Sequence, residues 1–309
     1  MKTGMYYFMI VAKEESISRA AQALMVSQQS LSEQIKRLED IYGKLFLRRP
    51  RFQLTPAGEA LLCTAQQIFV LEQNLDVQIQ EIREKKIGHL RMGIHSLRAM
   101  VLLPNVIEKY HSMFPSVKLT FYNDDTVTLE DMLRRGELDV FFGVDARQYN
   151  EFEYITLGEE QIYLVASEEF TRRYFNQACV DSGDVLEISE MRNIPFIFRH
   201  NKSNFQLKVN KVLDSLNIIP NDVITITDFS IQLMLVGKNI GACFCPRLAL
   251  HMVYDMNRHR DTNMLRVFSI KGMNATSHLT LVKHKYAFCT EYFDSFIRML
   301  CNEFKMSLA

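Results

Sequence analysis

The stretch SISRAAQALMVSQQSLSEQIKRLE, residues 16–39, decides how the chain reads. Ser18 is placed to cap a short helix that carries Ala20, Ala21, Ala23 and Leu24. A serine oxygen there can accept an otherwise unpaired amide of the first turn. Met25 and Val26 leave room only for a tight turn, and Ser27 can cap the next helix. In that helix Leu31, Ile35 and Leu38 fall at i, i+4 and i+7, on one face, and Gly43 ends it. Short helix, tight turn and helix make the pattern of a helix-turn-helix. With Leu31, Ile35 and Leu38 inward, the outward face carries Gln28, Gln29, Ser32, Glu33, Lys36 and Arg37. A helix fits the major groove of double-stranded DNA. There Gln can pair with adenine, Ser with several bases, and Lys or Arg with guanine or phosphate. Any amphipathic helix shows water a polar face, but the Ala-rich helix and tight turn ahead of this one favour the groove. Ser18, Arg19 and Ser27, near the starts of the two helices, complete the candidate DNA-contacting set.

Outward from that stretch, Tyr6, Phe8, Met9, Val11 and Ala12 supply the apolar positions of a preceding helix. Downstream, residues 47–54 (LRRPRFQL) have the look of a basic hairpin or wing. Arg48, Arg49 and Arg51 can hold phosphates or enter a minor groove, although an isolated charge run is more often solvated surface. Thr55-Pro56 then reads as an N-cap followed by proline at the first helical position. From there to about Lys86 only the early Gly58 interrupts a helical pattern. Leu61, Ala65, Ile68, Glu72, Leu75, Ile79 and Ile82 alternate spacings of four and three, a heptad stripe with one acidic break. Such a helix is a rod of roughly 45 Å. An apolar stripe along it calls for a partner, and self-association is the simplest source.

Charge follows the same division. The whole chain is neutral, yet residues 1–58 hold nine basic and five acidic side chains, so a basic end sits on an acidic body. That asymmetry suits an end that meets phosphate. No apolar run approaches the ~18 residues that a membrane span needs, and the opening residues lack a signal-peptide pattern. The six cysteines show no CxxC spacing and no histidine at metal-ligand distance. The expectation is a reduced, cytoplasmic protein with no metal and no cofactor. Cys243 and Cys245 fall on one face of an apolar strand, which favours core, with a redox-responsive DNA-binding switch as the alternative. No nucleophile-elbow, phosphate-loop or zinc-helix pattern supports the further alternative of an enzyme, and no catalytic residue is nominated.

After Gly88 the texture becomes strands alternating with helices, the α/β pattern. Expected strands are 90–94, 117–122, 140–144, 161–166, 195–199, 223–226, 242–245 and 279–283. Expected helices run from Ser96 to about Met113, from Leu129 to Arg135, and from Tyr286 to Phe304. The segment 167–190 has no clear period. Strand 90–94 runs into His95-Ser96-Leu97-Arg98 at a helix start. Free amides and the positive dipole end favour an anion there, with the Ser96 hydroxyl as a further donor or simply as the helix cap.

At this point the sequence resembles a known family. Ser16, Ser18-Arg19-Ala20-Ala21, Leu24, Ser27-Gln28, Leu31-Ser32, Gln34-Ile35, Leu38-Glu39, Gly43, Leu45-Phe46, Arg48, Leu54-Thr55 and Ala57-Gly58 resemble the DNA-binding domain of LysR-type transcriptional regulators. Gln29 stands where that family commonly has proline. The resemblance continues more weakly through Leu103-Pro104, Phe114-Pro115 and Gly136-Glu137-Leu138-Asp139.

The resemblance implies an α/β protein in three parts. These are a winged helix-turn-helix over 1–58, a linker helix for dimerisation over 59–89, and an effector-binding domain over 90–309. The last resembles a periplasmic binding protein, with one subdomain at about 90–165 and 268–309 and another at about 166–267. It implies a homodimer or homotetramer on promoter or operator DNA, contact with RNA polymerase, no membrane partner, and a small-molecule effector between the subdomains. Arg199-His200-Asn201 and Thr227-Asp228-Phe229 resemble cleft-lining positions of the family. Arg199 on the surface remains the alternative. Together with His95 to Arg98 they suggest a carboxylate-bearing effector.

Overall fold

A computed structural model describes residues 2–47, 52–83, 88–175, 185–192, 194–200, 203–273, 275–287 and 289–308. Helices α1 (Lys2–Glu14), α2 (Ile17–Ala23) and α3 (Gln28–Tyr42) enclose a core of Phe8, Val11, Ala20, Leu31, Ile35 and Leu38. The cap of α2 is Ser16, not Ser18 as expected: its oxygen accepts the Arg19 amide at 3.3 Å. Ser16 is extended (φ −163°, ψ 123°) and can fold its side chain back on the first turn, whereas Ser18 already lies inside that turn. Met25 adopts φ 54°, a conformation costly for a side chain, and the chain reverses there with the Val26 amide on Ala21 O at 3.0 Å. Ser27 caps α3 as expected, accepting the Ser30 amide at 3.1 Å.

Strands β1 (Phe46–Leu47) and β2 (Gln53–Leu54) pair antiparallel. Glu39 at the end of α3 accepts the amides of Leu45 and Phe46 at 3.0 and 3.2 Å, which ties the wing to the helix. Arg48, Arg49 and Arg51, expected in that wing, lie outside the described residues. Thr55 donates to Lys44 O (2.6 Å) and accepts the Gly58 amide (3.1 Å), opening α4 (Pro56–Arg83). The 28 residues of α4 make a rod of roughly 42 Å. Its stripe does not stay in one environment. Leu61 and Ala65 are buried in the N-terminal core, while Leu75 and Ile79 are exposed, as is Leu71 beside the stripe.

Beyond α4 the chain builds two α/β lobes. In the first, parallel strands β3 (Gly88–Gly93), β4 (Val117–Tyr122) and β5 (Val140–Val144) are joined by the antiparallel β12 (Thr276–His284). Helices α5 (Ser96–Met113), α6 (Thr126–Arg134) and α11 (Glu291–Leu308) cover this sheet. The last helix begins at Glu291, five residues later than expected, because Lys285 to Ala287 close a turn, with the Ala287 amide on His284 O at 3.0 Å.

In the second lobe β10 (Cys243–Pro246) and β11 (Leu265–Lys271) flank one strand, and β7 (Val185–Glu187) runs parallel to β11. The parallel pair β8 (Pro195–Phe198) and β9 (Asn221–Thr225) is joined to it through Ala242, which bonds Pro195 O and the Ile197 amide, each at 2.9 Å. Its helices are α7 (Glu168–Tyr174), α8 (Asn204–Ser215), α9 (Phe229–Val236) and α10 (Leu250–Arg258). Phe196, Phe198 and Phe244 stack in its core.

The strand common to both lobes is β6 (Phe152–Ser167). It pairs with β12 through Gln161, then with β10 and β11 from Ile162 onward. Only its second half shows in the sequence pattern as a separate strand. Gly58 marks the tightest approach at the N-terminal end, since a β-carbon there would lie 2.3 Å from Leu45 O. Gly58→Ala is therefore expected to destabilise the N-terminal unit by about 1–3 kcal/mol, seen as an earlier urea transition by far-ultraviolet circular dichroism.

Candidate functional site

At the N-terminal end, the fold turns one face of α3 outward. Gln28, Gln29, Glu33, Lys36 and Arg37 are exposed and Ser32 is half-buried, with Leu31, Ile35 and Leu38 beneath them. Ser18, Arg19 and Ser27 are also exposed. The Arg19 guanidinium is partly occupied, donating to Glu14 O and lying 3.8 Å from the Glu14 carboxylate. Ser27 spends its oxygen on the cap of α3. The expected groove face is thus an exposed helix surface of amide, hydroxyl and cationic groups over a buried apolar core.

The second site is a cavity of about 360 Å³ between the lobes. His95, Arg98, Arg199, His200 and Thr227 line it together, although the sequence places them on three separate segments. Ser96, Leu97, Asp228 and Phe229 do not line it. Leu97 and Phe229 are buried in the apolar core of the second lobe. Asp228 caps α9, accepting the amides of Ser230 and Ile231 at 2.8 and 3.1 Å. Asn201 lies outside the described residues.

The helix start expected to offer free amides does not. The cap of α5 is His95 rather than Ser96: its Nδ1 accepts the Leu97 amide at 3.3 Å. The Ser96 amide donates to Asn123 Oδ1 at 2.7 Å, and Ser96 itself is exposed. The donors that face the cavity are instead guanidinium groups. Arg98 and Arg199 are each 6% exposed. Arg98 donates to Glu160 at 2.6 Å, and its Nε has no hydrogen-bond partner among the described residues. Glu160, 1% exposed, also accepts the Leu248 amide at 2.9 Å. The Arg199 guanidinium lies 5.7 Å from the Phe205 ring and has no acceptor among the described residues; only its backbone amide is bonded, to Gln206 at 2.9 Å.

This setting displaces the titrations. Burial, and then the Arg199 and Arg98 charges, bring His95 down to about 4, so its ring is neutral and free to accept the Leu97 amide. Burial and the neighbouring Arg98 lower Arg199 to about 10, which leaves it cationic at neutral pH. A buried cation with no acceptor among the described residues can receive an anionic group. The sequence pattern missed Asn123-Asp124-Asp125, which also line the cavity. They follow the carboxyl end of β4, and the rule that ligands gather at such strand ends would have found them. Phe142 and Phe205 carried no comparable signal.

The Cys243 and Cys245 side chains lie in the core beside this site and are fully buried. Burial pushes the Cys243 thiol up to about 12 and raises Cys245 well above its ordinary value, against the opposing pull of Arg199. Both therefore sit as neutral thiols in apolar surroundings. Cys179 lies outside the described residues. No helix among the described residues is long and apolar enough to cross a membrane.

Comparison with known proteins bears on both sites. The family described as bacterial regulatory helix-turn-helix protein, lysR family, matches residues 3–59, and the LysR substrate binding domain matches residues 83–304. The chain is 25% identical over 300 residues to the uncharacterized HTH-type transcriptional regulator YcgK of Bacillus subtilis, covering 93% of this chain and 90% of that one. It is 34% identical over 162 residues to the HTH-type transcriptional regulator YofA of Bacillus velezensis, covering 52% and 56%. In fold it is similar to a full-length OxyR variant from Pseudomonas aeruginosa, with TM-score 0.65 and 20% identity over 99% of this chain and 95% of that one. It is also similar to full-length CbnR in complex with its target DNA, with TM-score 0.56 and 17% identity over 98% and 99%.

Two outcomes follow from the cavity. Glu160→Ala leaves Arg98 buried without its partner and is expected to cost about 3–5 kcal/mol of stability, measured by urea denaturation. His95 lies lower in the folded chain than its ordinary 6.5, so its contribution to stability is full above that pH and is lost as pH falls through about 4. His95→Gln is therefore expected to flatten the acid side of the melting-temperature profile in that window, and an unchanged profile would contradict the assignment.

Proposed function

Because the chain belongs to the LysR family of DNA-binding transcriptional regulators with an effector-binding domain, we propose that it is a sequence-specific regulator controlled by a small carboxylate-bearing effector. The effector sits between the two α/β lobes. The observation that carries this reading is Arg199: a buried guanidinium without an acceptor among the described residues, facing a cavity beside Arg98. A carboxylate there gains charge-assisted hydrogen bonds that water-filled space offers less well. The signal reaches DNA as a shift in population, and for that the effector must bind one lobe arrangement better than another.

The DNA contacts assigned to this reading are the α3 face for bases and the wing arginines for phosphate. Gln28, Gln29, Ser32, Glu33, Lys36 and Arg37 stand on that face, with Ser18, Arg19 and Ser27 beside it. Gln29, in place of the common proline, adds a base-reading amide at the helix start. The working unit is a homodimer joined through α4, and two dimers form a tetramer. The exposed Leu71, Leu75 and Ile79, spaced one turn apart, support that pairing. RNA polymerase is the downstream partner, and no catalytic step is assigned.

The test is operator selection from a random DNA pool, followed by binding across salt. Gln28→Ala or Ser32→Ala is expected to change the preferred base at one position, with a loss of about 1–3 kcal/mol of discrimination for a bidentate contact. The double change Arg48→Ala with Arg49→Ala is expected to weaken binding to all sequences alike and to reduce the salt slope by about 2. Unaltered base preference in the first pair sinks the groove assignment of α3.

A further inference from the structure

The cavity between the lobes carries both signs of charge in separate places, and we propose that the effector is a zwitterion, an amino carboxylate of amino-acid size. This rests on the cleft being the effector site. What it adds is a second, positive group on the ligand and the residues that receive it.

The floor is cationic. Arg98 and Arg199 are nine-tenths buried and both line the cavity. Arg98 is already neutralised by Glu160 at 2.6 Å, so the floor offers one surplus positive charge, that of Arg199. The Nε of Arg98 remains without a partner among the described residues, a further donor that the fold itself does not use. One carboxylate satisfies this floor, and a second finds no second surplus cation there.

The mouth is anionic. Asp124 and Asp125 line the same cavity and are exposed at its rim. Asp124 Oδ1 accepts the Asp125 amide at 2.9 Å, and Asp125 Oδ1 accepts the Thr128 amide at 2.8 Å to cap α6. In each case the other carboxylate oxygen has no hydrogen bond among the described residues. His95 lines the same cavity, and its ring feels both Arg199 and Arg98 and, in the opposite sense, Asp125 and Asp124.

Charge balance then selects the ligand. Arg199 set against two rim carboxylates leaves the lining with net negative charge, which a bare carboxylate makes worse and a dicarboxylate worse again. An ammonium on the same molecule cancels the charge that its carboxylate brings in, and it takes the idle aspartate oxygens. Phe142, Val144, Phe205 and Pro246 supply apolar wall between the poles. A volume of about 360 Å³ admits a molecule of amino-acid size and is at the small end for ligand sites.

The experiment uses the full-length protein and the twenty common L-amino acids in a thermal-shift screen, followed by calorimetric titration of each hit. Each hit is compared with its deaminated acid and its decarboxylated amine, and with glutarate as a dicarboxylate. The amino acid is expected to bind about tenfold or more tightly than either truncated form, the range of one charge-assisted hydrogen bond. Asp124→Asn combined with Asp125→Asn keeps the capping oxygen of α6. That variant is expected to lose this advantage while binding the deaminated acid at least as well as before. Arg199→Gln is expected to abolish both. If the deaminated acid or glutarate binds as tightly as any amino acid, the zwitterion proposal is overturned and the carboxylate-effector reading stands. If neither amino acids nor carboxylates bind, the cleft reading itself fails and takes this proposal with it.

Discussion

The carboxylate of Glu160 is the point on which the body of the molecule turns. It sits where β6 leaves its pairing with β12 and takes up β10, so it lies at the passage from one lobe to the other. One oxygen holds Arg98 at the start of α5, and the other holds the Leu248 amide just after β10. A charge that is 1% exposed is tolerable only when its acceptor capacity is filled, and here both lobes contribute to filling it. One ion pair and one hydrogen bond to a backbone amide thus join the lobes at this passage, alongside the Lys208–Asp145 pair at 2.7 Å. Any rearrangement that parts them strands a buried charge.

The character of the cavity follows from that arrangement. Glu160 neutralises Arg98 and leaves nothing for Arg199, so the second guanidinium is the one that looks for a ligand. Burial, and then the two like charges close by, also hold the neighbouring imidazole of His95 neutral. A neutral ring can accept the Leu97 amide and cap α5, so the helix start is closed by protein groups and the work of receiving an anion passes to side chains. Burial likewise keeps Cys243 and Cys245 neutral, their thiols pushed up even with Arg199 beside them. The same desolvation that primes the arginine quiets the cysteines.

The N-terminal unit is tied to this body by α4, and the two ends of that helix do different things. Its first turns complete the core beneath α3, where Leu61 and Ala65 pack with Phe8 and Leu31. Farther along, Leu71, Leu75 and Ile79 face outward. Lys13 of α1 also meets Glu137 of the first lobe at 2.9 Å, and Tyr6 stacks on Phe69 of α4. Contacts between exposed ions are weak individually. They nonetheless show that α1, α4 and the first lobe adjoin one another within one chain.

The sequence by itself determined the helix-turn-helix. Period, turn and cap act over a few residues, and all of them lie within residues 16–43. It also determined the identity of most strands, since those are short apolar runs with local signatures. Caps were less legible: Ser18 and Ser96 have the right chemistry, but Ser16 and His95 stand two residues and one residue earlier, where the backbone is still extended. The heptad stripe of α4 read as one surface because spacing is blind to which turn meets the core. Only the tertiary structure decided the cavity. It drew together His95, Arg98, Asp124, Arg199 and Thr227 from distant segments and left Leu97 and Phe229, which adjoin them in sequence, in the core. The reason is physical. Local pattern records which groups a residue's neighbours can satisfy, whereas an unpaired Arg199 is defined by what the rest of the fold fails to place beside it.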